Sequence, residues 1–138
     1  MATEIRFDLP TPNPETKPFW DAAREGKLLI CRCGACRHAF LYPRPFCPKC
    51  WSDDVRWEQA SGRATLYTYS VVYENDLPPF TERIPYVAAV VDLDEGPRMM
   101  TNVDECEFDE LRVGMPLEVS FREETDEITL PVFRPAAT

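Results

Sequence analysis

The second half of the chain consists of short runs rich in apolar residues, and two of them, residues 62–74 and 116–123, alternate apolar and polar positions in the period-two pattern of half-buried β-strands. The runs are short, contain many β-branched and aromatic residues, and are separated by turn-forming residues. They comprise residues 55–59, 62–74, 85–93, 97–103, 116–123 and 129–134. Asp94, Glu95 and Gly96 predict a hairpin turn between two of these runs. The pattern predicts a mainly β protein.

The five runs that follow residue 61 predict a single barrel. The first of them is the longest, and Tyr67, Tyr69, Val71 and Tyr73 are predicted to lie on one alternating face of that strand. Residues 107–111 predict one helical turn between the third and fourth strands of the barrel. This order suits a small, closed Greek-key barrel of the OB type, and a generic β-sandwich is the rival architecture.

The N-terminal residues predict an extended arm followed by a short helix. Three prolines within the first 14 residues exclude regular structure there. Thr16 is the predicted N-cap, Pro18 is tolerated in the first turn, and Gly26 ends the helix as the residue after its C-cap. Phe19 and Trp20 are large apolar side chains for so short a helix. They either pack within this chain or insert into a partner protein.

Residues 29–51 contain two cysteine pairs, Cys33-x2-Cys36 and Cys47-x2-Cys50, which are separated by ten residues. Each C-x2-C turn can bring two sulfurs to about 2.3 Å from one ion, and the residues between the pairs form a hairpin that returns the second pair. The spacing predicts a zinc ribbon with one zinc per chain, and two disulfides or four unrelated thiols are the alternative. Because four thiolates leave no open coordination position, the predicted metal is structural.

The other two cysteines and the single histidine have no predicted role at the metal. Cys31 lies two residues before the first pair and fits the knuckle pattern poorly, and Cys106 is isolated in an acidic stretch. We interpret both as ordinary small side chains. His38 follows the first pair, but four cysteines already fill the coordination shell. We therefore predict that His38 is a bystander on the ribbon surface.

The net charge of −9 is distributed unevenly along the chain. Residues 24–50 carry six bases and one acid, whereas residues 51–138 carry seven bases and nineteen acids. An acidic body repels nucleic acid, whose binding depends mainly on neutralising phosphates. No apolar run approaches the roughly 18 residues that span a bilayer, no signal peptide is recognisable, and zinc-binding thiols fit a reducing compartment. We expect a cytoplasmic protein that binds neither nucleic acid nor a membrane.

Several segments in combination resemble a known family. They are FWDAAREGKL before the ribbon, YPRPFCPKC at its second cysteine pair, and SGRATLYTYSVV, PYVAAVVDLDEGPRMMTNV, VGMPLEVSF and LPVFRP in the predicted barrel. Together they resemble the zinc-ribbon plus OB-fold proteins of domain-of-unknown-function 35, which are small partners of thiolase-like and other acyl-CoA enzymes. We accordingly divide the chain into an N-terminal arm and helix (1–26), a rubredoxin-like zinc ribbon (27–53) and a five-stranded OB-fold domain (54–138).

The resemblance implies a non-catalytic accessory subunit of a thiolase or retro-aldolase complex in lipid, steroid or aromatic acyl-CoA metabolism. The thiolase-fold partner would make or break the carbon–carbon bond, and the small subunit would complete the assembly or shape the acyl-CoA channel. Cys33, Cys36, Cys47 and Cys50 are carried over as zinc ligands, and no other residue is assigned catalysis. The sequence agrees, since it contains no phosphate-cradling Gly-rich loop, no G-x-S-x-G elbow and no H-E-x-x-H helix.

Six residues are candidates for contact with the partner, or with coenzyme A at a shared interface: Phe19, Trp20, Arg37, Arg44, Lys49 and Phe80. Aromatic side chains on short or loop elements suit interface anchors, and the bases suit either an acidic surface or phosphates. The alternative function is a nucleic-acid-binding ribbon and OB module, in which Tyr67, Tyr69 and Tyr73 would stack on bases. The acidic composition argues against that alternative.

Overall fold

The computed structural model describes residues 6–137, which contain one α-helix and eight β-strands. The helix, α1, spans Lys17–Arg24. Three strands form the first part of the chain: β1 (Leu29–Cys33), β2 (Ala39–Phe40) and β3 (Val55–Gln59). Five more follow: β4 (Arg63–Val72), β5 (Tyr86–Leu93), β6 (Arg98–Asn102), β7 (Pro116–Glu123) and β8 (Thr129–Pro135). The mainly β prediction is confirmed, and the predicted helical turn at 107–111 is a 3-10 turn at Phe108–Glu110.

Local hydrogen bonds satisfy backbone groups at both ends of α1. At its start, Asn13 Oδ1 accepts the Thr16 N–H at 2.9 Å, and Thr16 Oγ1 accepts the Asn13 N–H at 3.0 Å. Thr16 is thus the N-cap by position, but its helical backbone turns the hydroxyl back towards Asn13 and its side chain does not cap the first turn. At the other end, Gly26 has a φ of +78° and donates its N–H to Ala23 at 3.0 Å, as the sequence predicted.

No helix within residues 6–137 is long and apolar enough to cross a membrane.

The first sheet has the order β2-β1-β3, with both pairings antiparallel. Strand β3 pairs with β1 along its whole length, from Leu29 opposite Gln59 to Cys33 opposite Val55. The strand at 55–59 therefore belongs to the sheet of the ribbon, although it lies beyond the boundary predicted between residues 53 and 54. Whether residues 27–53 and 54–138 are separate units stays a prediction.

The second sheet has the order β6-β5-β4-β7-β8, and each neighbouring pair is antiparallel. Its two edges approach each other where Val103, just after β6, bridges in parallel to Phe133 of β8. The Asp104 N–H also donates to the Phe133 carbonyl at 2.8 Å. This nearly closed five-stranded barrel is the predicted OB fold, and the β-sandwich alternative is excluded.

Strand β4 contains a β-bulge, which shifts by one residue the alternation between side chains that face the core and side chains that face solvent. Leu66 pairs with Val91 and Thr68 pairs with Val90, so that Tyr67 is an extra residue without a partner. Leu66 is buried before this bulge, and Tyr69 packs against the core after it. The prediction that all three tyrosines share a face is therefore wrong, because the bulge shifts the alternation by one residue and leaves Tyr67 45% exposed.

One apolar core extends from the barrel into the ribbon. Leu28, at the start of the ribbon, and Ile30 of β1 are 2% and 0% exposed and belong to the same cluster as Leu66, Val91 and Phe133 of the barrel. The Ala60 N–H also donates to the Leu28 carbonyl at 2.8 Å where the chain passes from β3 to β4. The ribbon is therefore packed onto the barrel and is not a freely attached module.

A buried carboxylate joins four separate segments at the far end of β7. Glu124, whose side chain is 2% exposed, accepts hydrogen bonds at 2.8–3.1 Å from Arg6, Arg83 and Arg122. Arg6 comes from the N-terminal arm, Arg83 from the loop before β5, and Arg122 also bonds to Asp104 after β6 at 3.2 Å. Burial alone would raise the pKa of Glu124, but the three guanidinium groups lower it to about 2.

This depressed pKa predicts a loss of stability in acid. Because the pKa of Glu124 is lower in the folded state than in the unfolded chain, its contribution is complete above about pH 4.5 and is lost as the pH falls towards 2. We expect Glu124→Gln to lower the free energy of unfolding by about 3 kcal/mol at neutral pH and to flatten this part of the pH dependence. Urea unfolding at several pH values measures both effects. The matched control is Glu123→Gln, since Glu123 is exposed; equal effects of the two variants would contradict the prediction.

Candidate metal centre and neighbouring surfaces

Four cysteine sulfurs converge at the tip of the ribbon. The Sγ atoms of Cys33, Cys36, Cys47 and Cys50 all lie within 4.8 Å of one another. Two sulfur pairs join the two halves of the site, with 3.6 Å between Cys33 and Cys50 and 3.6 Å between Cys36 and Cys47. Tetrahedral coordination with zinc–sulfur bonds of about 2.3 Å requires sulfurs about 3.8 Å apart. The observed spacing therefore fits a single zinc ion.

The two C-x2-C turns repeat the same hydrogen bonds fourteen residues apart. In the first turn, the Cys33 carbonyl accepts the Arg37 N–H at 3.0 Å and the Cys33 N–H donates to His38 at 2.9 Å. In the second turn, the corresponding bonds of Cys47 are 3.0 Å from the Trp51 N–H and 2.8 Å to the Ser52 carbonyl. In both turns the N–H two residues after the first cysteine points at its sulfur, at 3.3 Å. Each turn thus forms a complete knuckle by itself.

The knuckles impose unusual backbone conformations just after the second cysteine of each pair. Arg37 and Trp51 have φ values of +69° and +67°, which cost a non-glycine residue about 1 kcal/mol. Within the first knuckle, Gly34 donates its N–H to the Asp54 carbonyl at 2.7 Å. A side chain on Gly34 would overlap the Asp54 carboxylate, so Asp54 would have to move to accommodate one.

The hydrogen bonds favour thiolates at the two buried cysteines. The Cys36 N–H is the largest influence on Cys33 and helps to lower its pKa to about 6. Burial raises the pKa of Cys47, but two backbone N–H groups outweigh that effect and lower it. At Cys50 the Ser52 N–H lowers the pKa, yet burial and the three neighbouring sulfurs raise it to about 12. Four adjacent thiolates therefore require a cation between them.

The structure places the remaining thiols and the histidine outside this cluster. His38 stacks on Phe40 with 6.0 Å between ring centroids and contributes no ligand atom to the group. Cys31 is buried in β1, and burial raises the pKa of its thiol. Burial together with nearby carboxylates also raises the pKa of Cys106. Both thiols are therefore less reactive than an exposed cysteine.

Two of the predicted contact residues line an apolar groove between α1 and β6. Phe19 and Trp20 meet edge to face with centroids 4.9 Å apart. The groove, which we call the α1–β6 groove, has a volume of about 230 Å³ and is walled by Phe19, Trp20, Leu41, Tyr42, Met99 and Met100. Phe19 also packs against the main core. Phe19 therefore serves the protein's own packing, whereas Trp20 is half-buried at the groove.

The predicted basic residues lie on the exposed surface of the ribbon. Arg37, Arg44 and Lys49 are all solvent-exposed, and Arg44 lines a depression next to the α1–β6 groove. An aromatic pair on the same ribbon was not predicted: Phe46 and Trp51 stack with 5.2 Å between centroids, and Trp51 is 72% exposed. In the sequence, both residues lie directly beside the second cysteine pair, and this position could have identified them as candidates.

The structure does not group Phe80 with the other candidates. It lies on a 3-10 turn at Phe80–Glu82, is half-buried and is 6.0 Å from the Tyr86 ring. Phe80 lines a separate depression of about 400 Å³ with Arg83, Cys106 and Arg122, beside the network around Glu124. The six candidate residues therefore belong to at least two different surfaces.

Removing one of the four clustered cysteines tests the metal centre. We expect Cys47→Ser to reduce the zinc content well below one ion per chain and to unfold the ribbon, because in such sites the free energy of metal binding is folding free energy. The barrel should also lose stability, since Leu28 and Ile30 belong to its core. Metal analysis of freshly reduced protein and thermal unfolding measure the two effects. Cys106→Ser is the control; wild-type protein without zinc would contradict the prediction.

Two family models match adjoining parts of the chain. One, described as the ChsH2 rubredoxin-like zinc ribbon domain, matches residues 20–56. The other, described as the ChsH2 C-terminal OB-fold domain, matches residues 57–122. The ribbon match and the clustered cysteines together confirm the prediction of one structural zinc.

Comparisons with individual relatives and with a solved structure indicate the same family as the family models. Over 86% of its length the chain is 41% identical to a probable enoyl-CoA hydratase alpha subunit from Thermomonospora curvata, of which it spans 37%. It is 34% identical to a DUF35 domain-containing scaffold protein from Methanocaldococcus jannaschii, over 75% of this chain and 74% of the relative. A solved Ltp2-ChsH2(DUF35) aldolase chain matches with a TM-score of 0.84 and 38% identity, over 94% of this chain and 100% of that one. The chain therefore belongs to the DUF35 family, as a ChsH2-type zinc ribbon followed by a ChsH2-type OB-fold domain.

Proposed function

We propose that this chain is a non-catalytic accessory subunit of a thiolase-fold acyl-CoA enzyme, which performs thiolysis or retro-aldol cleavage on lipid, steroid or aromatic acyl-CoA substrates. The observation that carries the proposal is the match to the whole of a chain that is described with Ltp2 as an aldolase. The relative described as an alpha subunit of a probable enoyl-CoA hydratase supports a role within a larger acyl-CoA assembly. The name scaffold protein supports a structural contribution.

The cysteine cluster supports a structural role for this chain in the proposed complex. Cys33, Cys36, Cys47 and Cys50 would hold the zinc, which would supply coordination that keeps the ribbon folded and no open position for a substrate. The acyl-CoA would lie at the interface that the chain shares with its partner. We also propose a cytoplasmic location, which is supported by the need of these thiols for reducing conditions.

Co-expression with the partner tests the accessory role. We expect the chain alone to turn over no acyl-CoA ester, and we expect the thiolase-fold partner to be inactive or unstable without it. The partner is first identified by affinity purification of the tagged chain from its native cell. Complex formation is then measured by size-exclusion chromatography, and activity by release of free CoA from the ester.

The matched control is the Cys47→Ser variant, whose ribbon should not fold and which should not restore activity to the partner. Addition of purified wild-type chain to the isolated partner separates a catalytic requirement from a role in expression. A partner that is fully active alone and gains nothing from the added chain would refute the accessory role.

Nucleic-acid binding is the second candidate function, because the bulge of β4 leaves Tyr67 on the surface. Its ring is covered by the Arg98 guanidinium, whose Cζ atom lies 3.7 Å from the ring centroid, and Arg98 also bonds to Asp92 at 2.7 Å. The other predicted stacking residue of this strand, Tyr69, is turned towards the core and donates its hydroxyl to Leu111 at 3.3 Å. These contacts disfavour a stacking surface and support the accessory role.

We therefore expect at most weak and nonspecific binding of single-stranded DNA at physiological salt, because the chain carries a net charge of −9. A fluorescence anisotropy titration with a labelled oligonucleotide measures the affinity. The same titration at low salt shows whether residual binding is electrostatic. A dissociation constant of about 1 µM or lower at physiological salt would reverse the ranking of the two functions.

A further inference from the structure

Strand β3 (Val55–Gln59) leaves one of its two edges unpaired. The ribbon sheet has the order β2-β1-β3, so β3 is bonded to β1 on one side only. Within residues 6–137, no other strand pairs with the opposite side of β3, which we call the free edge. An edge of this kind presents a row of N–H and C=O groups that can bond to a further strand.

The hydrogen-bond register identifies the backbone groups on the free edge. Ala60 donates its N–H to the Leu28 carbonyl at 2.8 Å. Because bonded residues alternate along an antiparallel pair, the even-numbered residues of β3 also turn their backbone groups towards β1. Trp57 and Gln59 therefore direct their N–H and C=O groups outwards. The Val55 carbonyl also points outwards, whereas the Val55 N–H is used in a local turn.

The charged side chains of β3 are complementary to those of a second, antiparallel copy of the strand. Arg56 and Glu58 are two residues apart and therefore lie on one face of the sheet. When two copies run antiparallel with Trp57 opposite Trp57, Arg56 of each copy stands directly opposite Glu58 of the other. In this register the two positions form a non-hydrogen-bonded pair, in which opposing side chains come closest.

Ion pairs within each chain extend this complementarity. Arg56 pairs with Asp54 at 3.0 Å, and Arg32 pairs with Glu58 at 2.9 Å. Across two copies the row would run Asp54, Arg56, Glu58, Arg32, with the last two residues from the second copy. Acids and bases alternate along the whole row, so each group is attracted to its neighbours.

The other charges that act on this row have the same favourable sign. Arg32 lowers the pKa of Glu58, with a smaller contribution from Arg37. Glu58 raises the pKa of Arg32, with a smaller contribution from Glu95. The row therefore contains no uncompensated charge that would repel a second copy.

The opposite face of β3 carries only uncharged side chains within the strand. Trp57 is 37% exposed there, and the antiparallel register would place it beside the same ring of the second copy. Just beyond the strand, Asp53 would stand opposite Ser61, whose N–H is already bonded to Glu95 at 2.8 Å. Pairing is thereby limited to the strand itself. Two acids and one base share the depression beside Trp57: Glu15, Asp53 and Arg44.

We propose that β3 joins two copies of this chain into a symmetric homodimer by pairing antiparallel with itself about Trp57. The two Trp57 residues would exchange N–H···O=C bonds, and each Gln59 N–H would donate to the Val55 carbonyl of the other copy. Such a contact uses the same surface on both copies and closes at two. Five residues a side are far fewer than the roughly 20–30 of a standard interface, so the dimer should dissociate on dilution.

Charge reversal on β3 tests the pairing and its register together. We expect the zinc-loaded wild-type chain to shift from monomer to dimer in sedimentation velocity as its concentration rises to about 1 mM. Arg56→Glu places acid opposite acid, and Glu58→Arg places base opposite base. Each variant alone should therefore dimerise at least about tenfold more weakly. An equimolar mixture of the two places an acid opposite a base at both positions and should recover the dimer.

Matched variants separate the pairing from the change in net charge. Arg112→Glu and Glu110→Arg alter exposed residues beside a depression of the barrel, and each should dimerise within about twofold of the wild type. Gln59→Pro changes no charge and removes an N–H that faces away from β1, so it should weaken the dimer through the backbone alone. Unchanged zinc content and an unchanged thermal midpoint show that each variant is folded.

The alternative results would each overturn the proposal. A wild-type chain that stays monomeric at about 1 mM does not pair in this way. A dimer that neither reversal weakens uses another surface, and a mixture that does not recover the dimer excludes the register about Trp57. Slowed hydrogen exchange at β3 only after the acyl-CoA enzyme is added would assign the free edge to that enzyme. The accessory function is independent of the dimer and is tested separately by co-expression.

Discussion

Four sulfur atoms within 4.8 Å of one another form the contact on which the N-terminal half depends. Thiolates at this distance repel one another, so four ionised cysteines can stay together only with a cation between them. The consequence reaches beyond the ribbon because Leu28 and Ile30 continue the apolar core of the barrel. Leu41, which follows the short strand β2, also packs on that core and forms part of the α1–β6 groove. The shape of a surface depression is thereby linked to metal coordination elsewhere in the ribbon.

Ion pairs, instead of metal coordination, hold the region around Glu124 together. There a single carboxylate collects three guanidinium groups from distant parts of the sequence, and charge rather than coordination fixes the geometry. The N-terminal arm is attached to the barrel through this contact, since Arg6 pairs with Glu124 at 3.1 Å and is also held by Asp8 at 2.8 Å. A small protein with one modest core thus uses a metal and a buried ionic network to hold segments that contribute little apolar surface.

Much of this fold could be predicted because its determinants are local. Short apolar or alternating runs bounded by turn residues located every barrel strand, and cysteine spacing located the sulfur cluster. The missed features depend on contacts between distant residues or on details of strand pairing. The bulge at Tyr67 follows from the register between β4 and β5, and the network at Glu124 joins residues up to 118 positions apart. The groove likewise forms only where helix, ribbon and barrel pack together. The sequence could therefore identify Phe19 and Trp20 as candidate contact residues, but it could not identify the other residues that line the groove.

The fourteen-residue repeat of the knuckles has an evolutionary consequence. The hydrogen bonds that the two knuckles share lie within six consecutive residues of each, and only residues 39 and 40 of the connection pair with β1. Residues 42–46 belong to neither knuckle nor to the core cluster, so their composition can change with little effect on the positions of the sulfurs. That segment carries Tyr42, Arg44 and Phe46, which are surface residues. Selection can therefore diversify what the ribbon recognises while its metal centre stays the same.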